Sequence, residues 1–264
     1  MSSHCVHLAS DLHLGAPSST TSADRERAFI HWMRDAAMGS GFATGKQATE
    51  LHLVGDIFDF WFEYKRAVPK GGVRLMGAIA ELTDGGLPIH FHAGNHDMWT
   101  FGYLEEELGV QVHRKPIVRT WDGLRCMVGH GDGLGPGDKG YLRLKSIFTS
   151  SLCQKAFRRL HPDMGIALAK AWSRNSRQKS EQPFVEASQE HLVQHCLDWL
   201  SSSDQEAVDV FVFGHRHLPL DLPLEGRHAR YLNCGDWIEH MTSVCIHNGN
   251  AELLTHRGMK KGPR

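Results

Sequence analysis

The stretch LPIHFHAGNHD, residues 87–97, is an apolar segment that ends in a glycine and three consecutive polar side chains. Its first part has the length and composition of a buried strand, and Gly94 lets the backbone turn sharply where the strand ends. Segments of two kinds alternate before it: strand-like at 5–10 and 50–56, helix-like at 24–38 and 72–86. Strands that alternate with helices indicate βαβ units and a mainly parallel sheet.

The second half of the chain is richer in strands. Strand-like segments lie at 110–118, 123–131, 208–217, 229–236, 242–248 and 251–257. Several of them are joined by turns without a helix between, which favours antiparallel pairing. We therefore expect an α/β fold of two mixed sheets packed in layers, rather than a single doubly wound sheet.

An insertion that is mostly helical, residues 135–200, separates two parts of a core, 1–134 and 201–264. Between Lys139 and Lys179 it holds ten Lys or Arg residues and one acid, with leucines and aromatic residues interleaved. A charged stretch of this kind is usually a solvated helix face. Cations mixed with apolar residues also recognise anionic amphiphiles, so a substrate or membrane role stays open as the alternative.

The composition limits the classes of function. A net charge of −1 gives no sign of nucleic-acid binding. The chain has nineteen histidines in 264 residues, an unusually high number, and histidine is the commonest metal ligand in proteins. Six cysteines without a C-x-x-C pair predict reduced thiols. We see no signal peptide and no apolar run of the ~18–20 residues that a membrane span needs. We expect a cytoplasmic protein and infer no protein partner.

Five short polar blocks follow the apolar runs. They are DLH at 11–13, GDIFD at 55–59, GNHD at 94–97, GHGD at 129–132 and GHRH at 214–217. Strand ends on one edge of an open α/β sheet are where ligands bind. Aspartate, asparagine and histidine without thiolate suit Mn, Fe or Zn. Two such ions ~3.5–4 Å apart would clamp a phosphate and generate a hydroxide for in-line attack.

The five blocks, in this order and over essentially the whole chain, resemble the calcineurin-like metallophosphoesterases. The resemblance implies an αββα sandwich of two mixed sheets and two divalent ions, with Mn favoured and Fe or Zn as alternatives. Asp11, His13 and His217 should bind one ion and Asn95, His130 and His215 the other, with Asp56 bridging. His96 should stabilise transition-state charge or protonate the leaving oxygen, with Asp97 orienting its ring.

The remaining polar residues near the blocks are open to simpler interpretations. His52, His90 and His92 lie within the strand patterns, and we interpret them as structural. Asp59, Asp132 and Asp236 are candidates for carboxylates that hold a ligand in place rather than bind the ion.

Details around the blocks resemble one branch of that superfamily. GLGPGDKGYLRLK and AWSRNSR in the insertion, with GDIFDFW and NCGDW, are similar to the UDP-2,3-diacylglucosamine pyrophosphate hydrolases of lipid A synthesis, in the branch with GNHD. The resemblance implies attack on the α-phosphorus, with UMP and 2,3-diacylglucosamine 1-phosphate as products. The insertion would form a lid whose substrate-binding residues are Asp138, Lys139, Tyr141, Arg174, Asn175, Ser176 and Lys179.

One departure leaves the substrate open. The best-known members of this hydrolase family carry Arg where this chain has His96. A related metallophosphoesterase that acts on another nucleotide-linked lipid or phosphodiester is therefore the enzymatic alternative. A non-catalytic scaffold is a second alternative, which the retention of every predicted ligand disfavours. The predicted partner is a nucleotide-linked glycolipid, and contact of the lid with the inner face of the membrane stays open.

Overall fold

Two mixed β-sheets form the centre of the computed structural model, which describes residues 3–136, 139–169, 171, 186–202 and 205–256. The first sheet contains β1 (Cys5–Ala9), β2 (Glu50–Leu53), β3 (Ile89–His92), β4 (Gln111–His113), β10 (Thr242–His247) and β11 (Asn250–Thr255). Its order is β11-β10-β1-β2-β3-β4. Strands β1 to β4 are parallel, and β10 and β11 add antiparallel pairs at one side.

The second sheet has five strands in the order β5-β6-β7-β9-β8. They are β5 (Ile117–Trp121), β6 (Leu124–Val128), β7 (Val210–Phe213), β8 (Pro219–Pro223) and β9 (Arg230–Cys234). The central strands β6, β7 and β9 are parallel, and β5 and β8 pair antiparallel at the two edges. The expected pair of mixed sheets is confirmed.

The described residues form seven α-helices, of which the first three and the last cover the outer faces of the two sheets. They are α1 (Ser22–Met38), α2 (Val73–Asp84), α3 (Tyr103–Leu108), α4 (Lys139–Thr149), α5 (Ser151–Phe157), α6 (162–169) and α7 (His191–Ser201). Thr21 caps α1, because its side chain accepts a hydrogen bond from the backbone N–H of Asp24. Gly39 ends the same helix in the left-handed conformation.

Three apolar clusters hold the four layers together. One joins α1, α2 and α3 to the outer face of the first sheet, and Phe29 and Trp32 of α1 are fully buried in it. A second lies between the sheets, where Val6 and Leu8 of β1 share a cluster with residues of β6, β7 and β9. The third packs α7 on the outer face of the second sheet. The layers are therefore α, β, β and α.

One predicted strand was wrong. The segment 110–118 is not a single strand, because β4 belongs to the first sheet and β5 to the second. Pro116 lies between them, and its missing N–H and fixed φ disfavour a continuous strand. This short crossing brings the chain from one sheet to the other.

Candidate metal centre

The predicted metal ligands stand just beyond the carboxyl ends of five parallel strands. Asp11 follows β1, Asp56 follows β2, Asn95 follows β3, His130 follows β6 and His215 follows β7. Hydrogen bonds tie the loops to one another: the N–H of Asp11 donates to the carbonyl of Gly55 at 3.1 Å, and the N–H of Gly214 to the carbonyl of His130 at 3.0 Å. Both sheets therefore present their ligands at one edge of the sandwich.

A first group of ligand atoms comes from Asp11, His13 and His217. Asp11 Oδ1 lies 3.2 Å from His217 Nε2 and 3.7 Å from His13 Nε2. The two imidazole Nε2 atoms lie 3.1 Å apart. All three side chains are buried. Three donor atoms that face one another at these distances can surround one ion.

A second group comes from Asp56, His130 and His215, whose ligand atoms also lie close enough to share an ion. Asp56 Oδ2 lies 3.2 Å from His130 Nε2 and 3.7 Å from His13 Nε2 of the first group. His130 Nδ1 lies 2.9 Å from the carbonyl oxygen of Val54, so this nitrogen carries the proton and Nε2 faces Asp56. Asp56 thus lies between the two groups, where a bridging carboxylate would stand.

Two glycines in the blocks permit this close approach. A Cβ on Gly94 would lie 2.3 Å from Asp56 Oδ1, and a Cβ on Gly214 would lie 2.6 Å from Asp11 Oδ2. Asn95 follows Gly94 directly and is half-buried in the same turn. Any larger residue at 94 or 214 would displace a carboxylate of the group.

Most of the predicted ligands have a left-handed backbone conformation. The φ angles are 55° at Asp11, 45° at His13, 53° at Asp56, 70° at His215 and 56° at His217. Non-glycine residues seldom adopt positive φ, although Asp and His do so more readily than most. The strained turns aim successive side chains of one short loop into the same space, as functional sites often require.

His96 lies beside both groups. Its Nδ1 lies 2.9 Å from the carbonyl oxygen of Asp59, and its Nε2 is 3.9 Å from Asp56 Oδ2. Its ring meets that of His13 edge-on at 4.7 Å. Nε2 of His96, the ring nitrogen that does not bond the carbonyl, therefore points at the predicted metal ligands.

The predicted role of Asp97 is corrected by its contacts. The Asp97 carboxylate accepts hydrogen bonds from the backbone N–H groups of Gly94 at 2.8 Å and Ile57 at 2.8 Å, with longer ones from Asp56 and Phe58. It ties the loop after β3 to the loop after β2 and does not orient the His96 ring, since the Asp59 carbonyl holds Nδ1. Sequence spacing suggested the neighbouring acid, whereas the actual acceptor is a backbone atom of the GDIFD block.

The other candidate carboxylates have separate partners. Asp59 Oδ1 lies 3.5 Å from His13 Nδ1, so its carboxylate is placed to orient that ring. Asp236 instead accepts from the backbone N–H groups of residues 238–240 and from His240, which closes a turn. Asp132 accepts from Lys145 Nζ at 2.6 Å and from the hydroxyl of Tyr141.

Charges in the cluster shift one another's pKa strongly. Burial alone would raise the pKa of Asp11, but the His217 and His13 rings outweigh it and hold that pKa below its usual range. Burial is likewise outweighed at Asp56, mainly by His130, and the pKa of His130 is held well above its usual range by Asp56. Burial lowers the pKa of His96 to about 4. The carboxylates therefore stay ionised, as metal ligands must.

The residues fit divalent metal ions. Asp11 Oδ1 and His130 Nε2 are buried and make no hydrogen bond of good geometry among the described residues, although each faces another ligand atom at 3.2 Å. A buried polar atom without a partner costs free energy, and a bound cation would satisfy both atoms. Oxygen and imidazole ligands without thiolate suit Mn, Fe and Zn alike.

Only some of the predicted substrate-binding residues belong to the part of the chain that the structure describes. Asp138, Arg174, Asn175, Ser176 and Lys179 lie outside the described residues, as does the side chain of Lys139. Tyr141 is described, and its hydroxyl bonds Asp132, two residues after His130. Lys145, which the sequence had not singled out, makes the second bond to Asp132. Its position four residues after Tyr141, on the same face of α4, was the available signal.

Curated proteins similar in sequence to this chain share one name. The chain is 32% identical to the UDP-2,3-diacylglucosamine hydrolase of Porphyromonas gingivalis, over 94% of this chain and 96% of that one. It is 27% identical to the protein of the same name from Aeromonas hydrophila, again over 94% and 96%. No family model matches. A solved phosphoesterase from E. coli, Yfce, is 15% identical over 92% of this chain and 88% of that one, with a TM-score of 0.44. Because that TM-score is low, family assignment rests on the sequence relatives.

Proposed function

The chain belongs to the UDP-2,3-diacylglucosamine hydrolase family, and on that basis we propose that it hydrolyses the pyrophosphate of UDP-2,3-diacylglucosamine. Water adds to the α-phosphorus of the UDP moiety and the bond to the β-phosphate oxygen breaks. The products are UMP and 2,3-diacylglucosamine 1-phosphate. The observation that carries the proposal is the pair of ligand groups that share Asp56 at one edge of the sandwich.

The metal assignment follows the two groups. Asp11, His13 and His217 would hold one ion, and Asn95, His130 and His215 the other, with Asp56 between them. Divalent ions, for which we propose Mn, supply Lewis-acid stabilisation of phosphate charge and lower the pKa of water. The protein's part is to fix the ligand rings. The Val54 carbonyl does so for His130 through a hydrogen bond of 2.9 Å, and the Asp59 carboxylate faces the His13 ring at 3.5 Å.

We assign His96 to the reacting phosphate. The Asp59 carbonyl fixes the proton on Nδ1 and leaves Nε2 directed at the centre. From there Nε2 can donate a hydrogen bond to a phosphate oxygen, or a proton to the leaving oxygen, once the ring is doubly protonated, a form that the negative charge of a bound phosphate favours. Asp97 supports this indirectly, because it holds the backbone on which His96 stands.

The helices α4 to α6 would form the lid over the acyl chains. Large apolar side chains are exposed along these helices and in the turn between α5 and α6: Leu142, Ile147, Leu152, Leu160, Met164 and Leu168. Mixed with the Lys and Arg residues of the same stretch, they give a surface for an anionic amphiphile. We propose that the lid ends before α7, because Leu192 and Cys196 of that helix are buried against the second sheet.

The relation to the membrane belongs to the same proposal. Within the described residues, none of the helices combines the length and apolarity required to span a bilayer. The apolar and basic face of α4 to α6 would rest on the inner face of the membrane while a lipid substrate enters. A cytoplasmic location with this peripheral contact stays a prediction.

The decisive experiment is incubation of the purified protein with UDP-2,3-diacylglucosamine and Mn²⁺, with UMP release as the readout. Asp56→Asn serves as the inactive control, because it removes charge from the shared carboxylate. If a simple phosphodiester is cleaved and no UMP appears, the enzyme acts on another substrate. If no phosphodiester is cleaved and His96→Ala behaves like the wild type, the chain is a scaffold.

A further inference from the structure

The layer between the two sheets changes character across the first sheet. At β1 it is apolar, whereas β2, β3 and β4 fill it with Glu50, His52, His90, His92 and His113, which we call the histidine layer. The parallel register places His52 beside His90 and His92 beside His113. Trp121 of β5, from the other sheet, closes the layer by meeting the His52 ring edge-on at 5.4 Å. This layer is separate from the predicted ligands.

Three ligand atoms converge within the histidine layer. Glu50 Oε2 lies 3.0 Å from His90 Nε2 and 3.3 Å from His52 Nε2. The His52 and His90 rings stack with their centroids 4.4 Å apart, which keeps both Nε2 atoms on the same side. The second carboxylate oxygen accepts a hydrogen bond from Trp121 Nε1. Two imidazoles and one carboxylate are a common protein ligand set for zinc.

The outer nitrogen of each of these rings also has a partner. His52 Nδ1 lies 3.0 Å from His92 Nε2, and His90 Nδ1 lies 2.9 Å from His113 Nε2. Histidines that bind metals are almost always oriented by such a second hydrogen bond, which fixes the tautomer. His92 Nδ1, which is buried and has no hydrogen-bond partner among the described residues, lies outside the convergent three.

The charge on Glu50 lacks a permanent counter-ion. Burial would raise its pKa, but hydrogen bonds from His52 and His90 outweigh this and keep the carboxyl ionised. Burial lowers the pKa of His52 to about 4, so this ring is neutral at neutral pH. Among the described residues, no Lys or Arg forms an ion pair with Glu50. Buried carboxylates are normally paired with a cation or bound to a metal.

We propose that Glu50, His52 and His90 bind a divalent transition-metal ion of the zinc class, apart from the candidate metal centre. The ion supplies the positive charge that the carboxylate lacks. Without the ion, the Nε2 proton of each ring faces Glu50; with the ion bound, both rings would coordinate through Nε2 and carry their protons on Nδ1, directed at His92 and His113. The ion would pin β2 to β3 and would hold Trp121 of the second sheet through the carboxylate.

A second group outside the centre, Cys5, His7 and Cys245, is the natural comparison. Its imidazole already bonds the carbonyl of Lys46 through Nε2 at 2.9 Å. The Cys5 thiol faces this same Nε2, at 3.4 Å, so the carbonyl already uses the nitrogen that would have to bind an ion. These thiols therefore serve as the matched control.

The test is metal content per chain after loading with Zn²⁺ and desalting, measured by atomic emission. We expect Glu50→Gln to hold one ion fewer than the wild type and Cys245→Ser to hold the wild-type number. The readout is a difference between variants, so it is independent of how many ions the candidate metal centre holds and of activity.

A milder variant covers the case in which Glu50→Gln does not fold. His113→Gln, at the half-exposed edge, removes only an outer partner and should weaken the same ion by about 10–100-fold, measured by competition with a chelator. Equal metal content in the wild type and Glu50→Gln overturns the proposal. So does loss of the ion in Cys245→Ser but not in Glu50→Gln, or an unchanged affinity in His113→Gln.

Discussion

His96 Nδ1 lies 2.9 Å from the carbonyl oxygen of Asp59. This bond links the GNHD block after β3 to the GDIFD block after β2. It also fixes a ring proton of His96 on Nδ1. His96 is the histidine of the cluster that we assign to the phosphate rather than to a metal. Because the acceptor is a backbone atom, substitution of the Asp59 side chain leaves the bond in place.

His96→Ala should lower kcat by about 10²–10⁴-fold, the usual contribution of a positioned acid or hydrogen-bond donor. KM and metal content should change little. Asp59→Asn is the comparison variant: it keeps the carbonyl that holds His96 and alters the carboxylate beside His13 and His96, so any loss of activity should be accompanied by weaker metal binding. Steady-state kinetics and metal analysis of both variants check this. A loss of one ion in His96→Ala would make His96 a ligand instead.

Gly94→Ala should damage the centre through sterics alone. Its Cβ would lie 2.3 Å from Asp56 Oδ1 and 2.7 Å from Asp56 N, so the loop must shift. We expect a loss of about 1–3 kcal/mol in the free energy of unfolding, with a large drop in activity. Gly77→Ala, exposed within α2 and with no atom near its Cβ, should instead stabilise by roughly 0.5–1 kcal/mol. Denaturant unfolding compares the two, and similar values would contradict the steric argument.

Lys145→Met should loosen the lid without disabling the chemistry. Lys145 Nζ bonds Asp132 at 2.6 Å and so joins α4 to the loop that carries His130. Loss of a hydrogen bond between charged groups should raise KM for the lipid substrate by about 10-fold. Cleavage of bis-p-nitrophenyl phosphate, which does not need the lid, should keep its rate. Lys155→Met, exposed on α5, removes the same charge and should leave KM unchanged.

His256 should make the protein less stable in acid. Burial, with a smaller effect of His7, lowers its pKa in the folded protein from 6.5 to about 4. Between those pH values the unfolded chain takes up a proton that the folded protein refuses, so stability present above pH 6.5 is lost as the pH falls.

The matching measurement is the free energy of unfolding of the wild type and His256→Gln, with a chelator present, from pH 7 downwards. The advantage of the wild type over the variant should shrink by up to about 1.4 kcal/mol for each pH unit below 6.5. A constant difference between the two proteins would mean that His256 titrates normally.

The sequence predicted the metal ligands well, because the same kind of polar residue follows one apolar strand after another. Asp11, Asp56 and His130 each follow an apolar run, and a parallel sheet brings such positions to one edge whatever the exact register. The sequence was less informative where a backbone atom, rather than a side chain, is the hydrogen-bond partner. No pattern of side chains announces that the carbonyl of Asp59 holds His96, and the adjacent Asp97 was the natural but mistaken choice.

The histidine layer shows a second limit. His52, His90 and His92 each fit a buried strand position, and one at a time a structural role was the sound interpretation. Their meeting with Glu50 and His113 depends on the register between β2, β3 and β4 and on a chain crossing at Pro116 that pattern alone had merged into one strand. Pairing between distant segments is a property of the folded sheet, not of local periodicity.

The left-handed backbone at Asp11, His13, Asp56, His215 and His217 has a consequence for how such a chain can diverge. Each of these conformations costs on the order of 1 kcal/mol for a side chain with a Cβ, a burden that selection tolerates only while the ligands are needed. A descendant freed from catalysis would gain stability by exchanging any of them for glycine. Mutations would then replace the ligands at these turns before they changed the apolar layers. Such a loss of activity would be hard to reverse, because each lost ligand would have to be restored against its cost in stability.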